Sequence, residues 1–360
     1  MKKTLILLVF FLTAAIFAGA GCINTSGSGN NAMGMYRSDD RGDSWKQIAA
    51  LPTPKGVQSI AGVRVYRIFT DPSDPDALYL GTRGQGMYYT YNKGDSWQTA
   101  DALNGRFIYS VAVDPKDKCT LYVTDGANIY KSTDCSRTWK SVFVESLPSE
   151  LIKSVAIDYG NPQTLYAALQ GGDILLSSDG GASWQTIKRL PFQIEYLTSD
   201  PKTPRRIYVA GAVDGLVRSD DGGVTWKDLR QPLEKYTDNK IFNRLVLHPS
   251  KANTIFWISK YGILRSEDAG ASWQELHLIT PPGTVNIYGF AINPTNENEL
   301  YYTGTILGEK NAHVRSTFYK SVDGGRSWTT KKLPTNTIPV AIYIHPLKPE
   351  IVFMAFTLVN

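Results

Sequence analysis

Carboxylates next to glycines are the residues of this sequence whose types and spacing most directly suggest chemistry. The stretch SDDGGVTW, Ser219 to Trp226, places Asp220 and Asp221 before two glycines and ends on a tryptophan. Oxygen ligands of this kind could bind calcium, and a pair of acids could cleave a glycosidic bond. The recurrence of the stretch along the chain decides between these roles and a structural one.

The pattern occurs seven times, and seven equivalent loops cannot all point at one substrate. The copies run from Ser38 to Trp45, Thr90 to Trp97, Ser132 to Trp139, Ser177 to Trp184, Ser219 to Trp226, Ser266 to Trp273 and Ser321 to Trp328. A calcium loop of the EF-hand type would need further oxygen ligands and a terminal glutamate, and none recurs. We therefore expect a structural role, with no metal and no cofactor.

A structural role in a turn explains each position that recurs among the copies of the eight-residue pattern. The acid at its third position can accept hydrogen bonds from backbone amides of its own hairpin, the glycine at its fifth can adopt positive φ, and the tryptophan can pack against the next sheet. The third-position residues to which we assign this role are Asp40, Asn92, Asp134, Asp179, Asp221, Asp268 and Asp323.

Each period of the sequence predicts four short strands separated by turn residues. A second pattern, an apolar strand followed by a turn and a further strand, also occurs seven times, with Asp-Pro or His-Pro at five of the turns, and the tryptophans recur every 42 to 55 residues. Repeated four-stranded units of this length are typical of a β-propeller. In the second period the predicted strands are Ile108 to Val113, Thr120 to Thr124, Asn128 to Ser132 and Thr138 to Val144.

The ends of the chain carry two half-repeats. It begins with a lone outer hairpin, Met35 to Ile48, and finishes with a lone inner pair, Pro339 to Thr357. Joining them rebuilds one repeat, which would pair the termini and leave no open sheet edge. We expect an all-β, seven-bladed propeller of four-stranded antiparallel blades over residues 34–360, closed by its N- and C-terminal strands and monomeric.

The eight-residue pattern resembles the Asp-box, or BNR repeat, and the resemblance covers essentially the whole chain after residue 33. Together with an N-terminal lipoprotein signal, a single seven-bladed Asp-box propeller resembles the photosystem II stability/assembly factor family, and more distantly the sortilin-type propellers and the sialidase and xyloglucanase-like glycoside hydrolases. The resemblance implies that the boxes are fold elements between third and fourth strands, away from the ligand face.

The third copy departs most from the pattern, because Ser136 replaces its glycine and Cys135 precedes it. Cys119 lies just before the second strand of the same blade, and antiparallel pairing should bring both cysteines to one rim. We predict a Cys119–Cys135 disulfide, which requires an oxidising compartment; two free thiols are the alternative.

The N-terminus has the composition of an export signal. Lys2 and Lys3 precede an apolar run that ends in small residues before Cys22. Residues 19–22 resemble a lipobox, although Gly19 stands where leucine is usual. We expect a signal peptide over residues 1–21, lipidation of Cys22, a flexible tether over 22–33 and a membrane-anchored protein of the cell envelope; an ordinary secretory signal is the alternative.

The net charge of the chain does not indicate a nucleic-acid partner. The formal net charge is +5, and it falls to about +3 without the two lysines of the signal. A charge this small does not indicate electrostatic binding of nucleic acid.

Function should lie on the rim opposite the repeated turns, because loops on a rigid scaffold carry most binding sites. The long inserts there are Ala49 to Val63, Gln231 to Lys240, Thr280 to Val285 and Leu307 to Thr317. Arginines and tyrosines at the channel mouth could bind an acidic or carboxylate-bearing partner, or simply pack between blades and face solvent. The candidate partner-binding residues are Tyr66, Arg67, Tyr109, Tyr196, Arg244 and Tyr288.

We expect a non-enzymatic scaffold that binds a protein partner in the envelope. The alternatives are a glycoside hydrolase, which needs two acids flanking the scissile bond, and a propeller that binds a glycan without cleaving it. No catalytic residue is assigned, because the spacing of the acids on this rim singles out no pair. These acids are Asp101, Asp125, Asp173, Glu195, Asp214, Asp238 and Glu309.

Overall fold

A computed structural model describes residues 32–213, 215–237 and 241–358. The predicted signal peptide, Cys22, most of the predicted tether, Asp214 and Asp238 lie outside these residues. Within them, no helix is long and apolar enough to cross a membrane.

Seven antiparallel sheets of four strands each follow one another along the chain, which confirms the predicted propeller. We number them blades 1 to 7 and count strands outward from the central channel. Blade 1 contains Val65–Thr70, Leu78–Thr82, Met87–Thr90 and Gln98–Thr99; blade 2 contains Ser110–Asp114, Asp117–Thr124, Asn128–Ser132 and Lys140–Val144; blade 3 contains Ile152–Ile157, Leu165–Leu169, Asp173–Ser177 and Gln185–Arg189. Blade 4 contains Ile194–Ser199, Ile207–Gly211, Leu216–Ser219 and Lys227–Asp228; blade 5 contains Phe242–Leu247, Ile255–Ser259, Ile263–Ser266 and Gln274–Glu275; blade 6 contains Asn286–Asn293, Asn296–Leu307, His313–Ser321 and Thr329–Lys331.

Blade 7 joins the two ends of the chain as predicted. Its inner strands are Ile338–Ile344 and Val352–Thr357, and its outer strands are Gly34–Ser38 and Lys46–Gln47. Gly34–Ser38 pairs with Val352–Thr357 over five residues, from Gly34 opposite Phe356 to Ser38 opposite Val352. The ring therefore closes through backbone hydrogen bonds.

Two of the predicted inserts are more regular than expected. Within Ala49 to Val63, the strands Ala50–Thr53 and Gly56–Ser59 form a separate hairpin. Leu307 to Thr317 is the tip of a hairpin in which the second and third strands of blade 6 extend beyond the rim, closed by a short 3-10 turn at Glu309–Asn311. Further 3-10 turns lie at Asp101–Leu103 and Gln231–Leu233.

The core lies between the blades. Each of its seven clusters draws side chains from two neighbouring sheets; for example, Tyr122 and Ile129 of blade 2 pack with Ile152 and Leu165 of blade 3. Both faces of each sheet are thus buried, which leaves the two rims and the channel for function.

Candidate functional site: the two rims and the channel mouth

The seven eight-residue repeats, which we call boxes, connect third and fourth strands and lie on the same rim as the turns between first and second strands, here called the box rim. In the fifth box, Ser219 to Trp226, the Ser219 hydroxyl donates to Asp221 Oδ1 at 2.8 Å and accepts from the Gly223 amide at 2.8 Å. Asp221 also accepts from the Thr225 amide at 2.9 Å and from its hydroxyl at 2.5 Å. The acid that suggested chemistry is therefore occupied by its own turn.

These hydrogen bonds lower the pKa of the boxed aspartates, mainly through the hydroxyl at the seventh position. The pKa is about 2 for Asp221 and for its four equivalents Asp40, Asp134, Asp179 and Asp323. Asn92 reproduces the geometry with an amide, because its Oδ1 accepts from the Ser96 amide and its Nδ2 donates to the Ser96 hydroxyl. No group of three histidine, cysteine or acidic side chains in the described ranges is arranged to hold a metal.

The fourth position of the box is a structural feature that the sequence did not reveal. Its residue has positive φ in all seven copies, including Arg41, Lys93, Cys135 and Ala269. Its amide donates to a carbonyl near the start of the second strand, as from Cys135 to Cys119 at 3.1 Å. Cys119 lies within this strand, Asp117–Thr124, and not just before it as we expected. The structure pairs the sulfurs of Cys119 and Cys135 as a disulfide, with Cα atoms 3.8 Å apart. The predicted bridge therefore joins two positions that a backbone hydrogen bond connects in every blade.

The tryptophan of each box packs against the preceding blade, whereas we expected the next one. Trp184 of blade 3 lies beside Phe143 of blade 2, with ring centroids 5.8 Å apart, and Trp45 of blade 7 lies at the same distance from Phe318 of blade 6. The turn directs the tryptophan toward the preceding blade, because its fifth-position glycine lies against that blade, as Gly223 does against Ile187.

On four blades, a lysine or arginine side chain donates to a backbone carbonyl of the next blade, at the fourth position of its box. Arg37 donates to the Lys93 carbonyl at 2.9 Å and Lys131 to the Gly180 carbonyl at 3.0 Å. Arg218 and Lys320 make the same contact, with the carbonyls of Ala269 and Arg41. Repeated side chains on this rim therefore join one blade to another.

The opposite rim, here called the variable rim, carries the entrance to the channel, where the inner strands begin. In five blades the inner strand skips one residue in its pairing with the second strand near this end. Such a bulge re-aims side chains and is common beside functional sites. The skipped residues are Tyr66, Lys153, Glu195, Asn243 and Val340, and the residue after each is again in register.

The bulges bring Tyr66, Arg67, Tyr196 and Arg244 together from three blades, and we call this group the mouth cluster. The Arg67 guanidinium lies over the rings of Tyr66 and Tyr196, 5.1 and 4.7 Å from their centroids. Arg244 donates from Nη2 to the Val340 carbonyl of blade 7 at 2.8 Å, while its Nε is buried without a hydrogen bond. Neither arginine is ion-paired with an acid in the described residues.

Burial lowers the pKa of Arg244 to about 10, and the nearby positive charge of Arg67 acts in the same direction. The guanidinium remains protonated at neutral pH. Two cations held this close, without a carboxylate between them, form a site that an anion would stabilise.

The remaining candidate tyrosines lie at the border of this cluster. Tyr109 stacks on Phe107 at 4.3 Å and meets Tyr66 edge-on at 6.2 Å, while Arg83 lies 5.2 Å from the Tyr66 centroid. Phe107 and Arg83 were not predicted, because they belong to loops outside the repeated pattern. Tyr288 instead packs against the core between blades 7 and 1, and burial raises its pKa.

Three of the acids predicted on the variable rim are neutralised by neighbouring cations. Asp125 pairs with Arg106, Asp173 with Arg189 and Glu195 with Lys153. Arg189 holds the pKa of Asp173 below its usual value. Asp101 accepts from the Thr99 hydroxyl at 2.6 Å, and Glu309 is exposed.

Seven four-stranded blades around a channel, with a structural rim and a cationic mouth, define the class of the protein as a seven-bladed β-propeller. A family model described as the DUF6242 beta propeller domain matches residues 96–344, so the chain belongs to that family. A second model, described as sortilin, neurotensin receptor 3, matches residues 34–142.

Curated relatives fall into two groups. A photosystem II assembly protein Ycf48 from Thermosynechococcus vestitus is 24% identical over 166 residues, covering 45% of this chain and 44% of the relative. A xyloglucanase from a Paenibacillus species is 26% identical over 204 residues, covering 44% of this chain and 19% of the relative. The chain thus spans less than half the length of either relative.

Solved structures show the fold in the same two groups. The GH74 xyloglucanase from Xanthomonas campestris superposes with a TM-score of 0.63 at 17% identity, covering 87% of this chain and 52% of the other. A structure of Ycf48 bound to a D1 peptide superposes with a TM-score of 0.59 at 15% identity, covering 83% of this chain and 93% of the other.

Proposed function

We propose that this propeller is a non-enzymatic binding scaffold that receives a carboxylate-bearing segment of a protein partner at its channel mouth. The observation that carries the proposal is the pair Arg67 and Arg244, which face the channel without an acid. Guanidinium groups bind carboxylates through two parallel hydrogen bonds, and the side chains of Arg67 and Arg244 are both partly exposed.

The aromatic rings at the channel mouth favour a peptide as the ligand over a free anion. Tyr66 and Tyr196 hold Arg67 between their rings, which fixes the plane of the guanidinium before a ligand arrives and reduces the entropy lost on binding. Together with Tyr109 and Phe107, the rings offer apolar surface for the residues that precede the carboxylate. The Ycf48 relatives, one of them solved with a bound peptide, support a protein partner.

A binding measurement with matched peptides tests the proposal. An array of decapeptides with free C-terminal carboxylates is compared with the same peptides as C-terminal amides. We expect the propeller to bind a subset of the free acids, the amides to bind at least tenfold more weakly, and the Arg67→Gln and Arg244→Gln variants to lose the preference for the acid.

Two variants make this test specific. Arg67→Lys keeps the charge but not the planar donor pair, so its binding should be intermediate. Arg189→Gln removes an arginine of the same rim that is already paired with Asp173, and it should bind like the unaltered protein. Equal binding of acids and amides by every variant would overturn the proposal.

Glycoside hydrolysis is the second candidate, and the xyloglucanase relatives favour it. Against it, Asp125, Asp173 and Glu195 are ion-paired, whereas a general acid needs a raised pKa. Incubation with xyloglucan and a panel of β-glucans, followed by measurement of new reducing ends, decides between the two. Release of sugar that is abolished by neutralising one acid of the variable rim would establish the hydrolase.

A further inference from the structure

The described chain begins on the variable rim. The Ala32 carbonyl accepts hydrogen bonds from the hydroxyls of Thr335 and Thr337, at 2.8 and 3.2 Å, in the segment that joins blades 6 and 7. The Met33 amide donates to the Ala61 carbonyl at 3.0 Å. From Gly34 the chain then runs toward the box rim as the third strand of blade 7. Whatever precedes Ala32 is therefore attached to the rim that carries the channel mouth.

The distance to the predicted lipidation site limits how far this rim can move from a membrane. Cys22 precedes Ala32 by ten residues, and a fully extended chain of that length spans at most about 35 Å. A lipid on Cys22 would consequently hold the variable rim next to the bilayer, with the box rim on the far side of the ring.

Four exposed apolar side chains lie on this rim in three adjacent blades. Val213 follows the second strand of blade 4, Ile241 precedes the inner strand of blade 5, Ile279 lies between blades 5 and 6, and Val314 is near the tip of the long blade 6 hairpin. Val213 and Ile241 are bridge partners. We call these four residues the apolar arc.

Unpaired cations accompany the apolar arc. The Lys260 amide donates to the Ile241 carbonyl at 2.9 Å, Arg315 follows Val314, and Lys310 lies at the hairpin tip. None of the three cationic groups has an acid partner among the residues that the structure describes. Apolar tips interspersed with lysine and arginine bind the headgroup region of anionic bilayers.

We propose that the variable rim faces the membrane and that the apolar arc contacts an anionic lipid surface. The tether and the arc support this orientation independently, since one concerns where the chain enters the ring and the other what the rim exposes. It does not depend on what the mouth cluster binds. A segment bound in the channel would, however, have to reach the mouth from the membrane side.

Two valines of blade 6 provide a matched pair for the test. Val314 on the variable rim is 59% exposed and Val322 on the box rim is 66% exposed. Each is changed to cysteine in the full-length, cell-processed protein, labelled with an environment-sensitive fluorophore and reconstituted in vesicles of phosphatidylglycerol and phosphatidylcholine. Quenching by an aqueous quencher is then compared at the two positions.

We expect the label at position 314 to be quenched at least threefold less than the label at position 322, and the difference to shrink in vesicles of phosphatidylcholine alone. Equal quenching at both positions, or failure of the processed chain to remain with the vesicles, would overturn the orientation. Protection of position 314 in native membranes but not in lipid vesicles would assign the arc to a protein. None of these results alters the peptide-binding test of the mouth cluster.

Discussion

The two rims of this ring use the same kinds of side chain in opposite ways. On the box rim, carboxylates such as Asp221 are satisfied by their own turn, and cations such as Arg37 and Lys131 bind carbonyls of the next blade. On the variable rim, Arg67 and Arg244 face the channel with no acid between them. Residues that repeat therefore hold the blades together, whereas Arg67 and Arg244, which do not repeat, have no acid partner among the described residues.

The largest effect on stability should come from Glu299, which is 2% exposed on the box side of blade 6. It accepts from Arg41 of blade 7 at 2.7 Å, and from the side-chain amide of Asn293 and the Tyr301 hydroxyl at 2.5 Å. Glu299→Ala leaves these donors without their acceptor, and we expect a loss of about 3 to 5 kcal/mol in the free energy of unfolding. Urea denaturation measures it.

The neighbouring Glu297→Ala is the control for this prediction. Glu297 is exposed and pairs with Lys251, so its loss should cost less than about 1 kcal/mol. Similar costs for the two variants would show that the junction of blades 6 and 7 does not depend on its buried charge.

Reduction of the Cys119–Cys135 bridge should give the next largest effect. The two residues are separated by 16 positions, for which the chain-entropy model gives about 3 kcal/mol. We expect the melting temperature to fall on addition of reductant, and the Cys119→Ser/Cys135→Ser variant to melt at the reduced value with or without it. A melting temperature indifferent to reductant in the unaltered protein would exclude the bridge.

Acid should destabilise the ring through His248. Burial, assisted by Lys251 and Arg265, lowers the pKa of His248 to about 4, below its unfolded value of about 6.5. The neutral ring is thus favoured in the fold, and its stabilising contribution is complete above pH 6.5 and lost progressively as the pH falls toward 4. Between pH 7 and pH 4.5 the loss should be about 2 kcal/mol.

Blade 6 supplies the control for the pH prediction, because it has Asn293 at the equivalent turn. His248→Asn should retain the turn, since Asn293 accepts from the Thr295 amide at 2.9 Å, and should flatten the dependence of unfolding free energy on pH. An unchanged dependence in this variant would assign the acid effect to other groups.

The smallest predicted effect is a gain in stability at Ser136. This residue holds φ of 68° at the position where the six other boxes have glycine, and a left-handed conformation costs a residue with a Cβ roughly 1 kcal/mol. Ser136→Gly should raise the melting temperature by one or two degrees, about 0.5 to 1 kcal/mol. The reverse change Gly181→Ser should lower it, because a Cβ there would lie 3.3 Å from the Tyr122 ring.

Sequence predicted the blades and their closure because each repeat carries its own local signals. A recurring turn follows the first strand and a glycine turn the third strand of nearly every blade, and the half-repeats at the two ends are complementary. In blade 2 the strand Asn128–Ser132 has the predicted bounds, while its inner strand begins at Ser110 instead of Ile108 and its fourth strand at Lys140 instead of Thr138.

Contacts between blades could not be predicted in the same way. Nothing in the sequence around a cation such as Arg218 indicates that it binds the box of the next blade. Positive φ at Lys93 and Ala269 was not predicted either, because neither residue is a glycine. Aligning the repeats selected all four residues of the mouth cluster and also Tyr109. The bulges that bring the cluster together, and the neighbouring side chains of Phe107 and Arg83, could not be read from the repeats.

The most direct test of the difference between the rims is the position of a bound peptide on the ring. A free-carboxylate peptide that binds the propeller is synthesised with a photo-cross-linking residue next to its C-terminus, and cross-linked residues are identified by mass spectrometry. We predict cross-links to Tyr66, Tyr196 and neighbouring residues at the channel mouth, lost in Arg67→Gln. Cross-links to the boxes, with none on the variable rim, would contradict the assignment of function to the rim whose loops do not repeat.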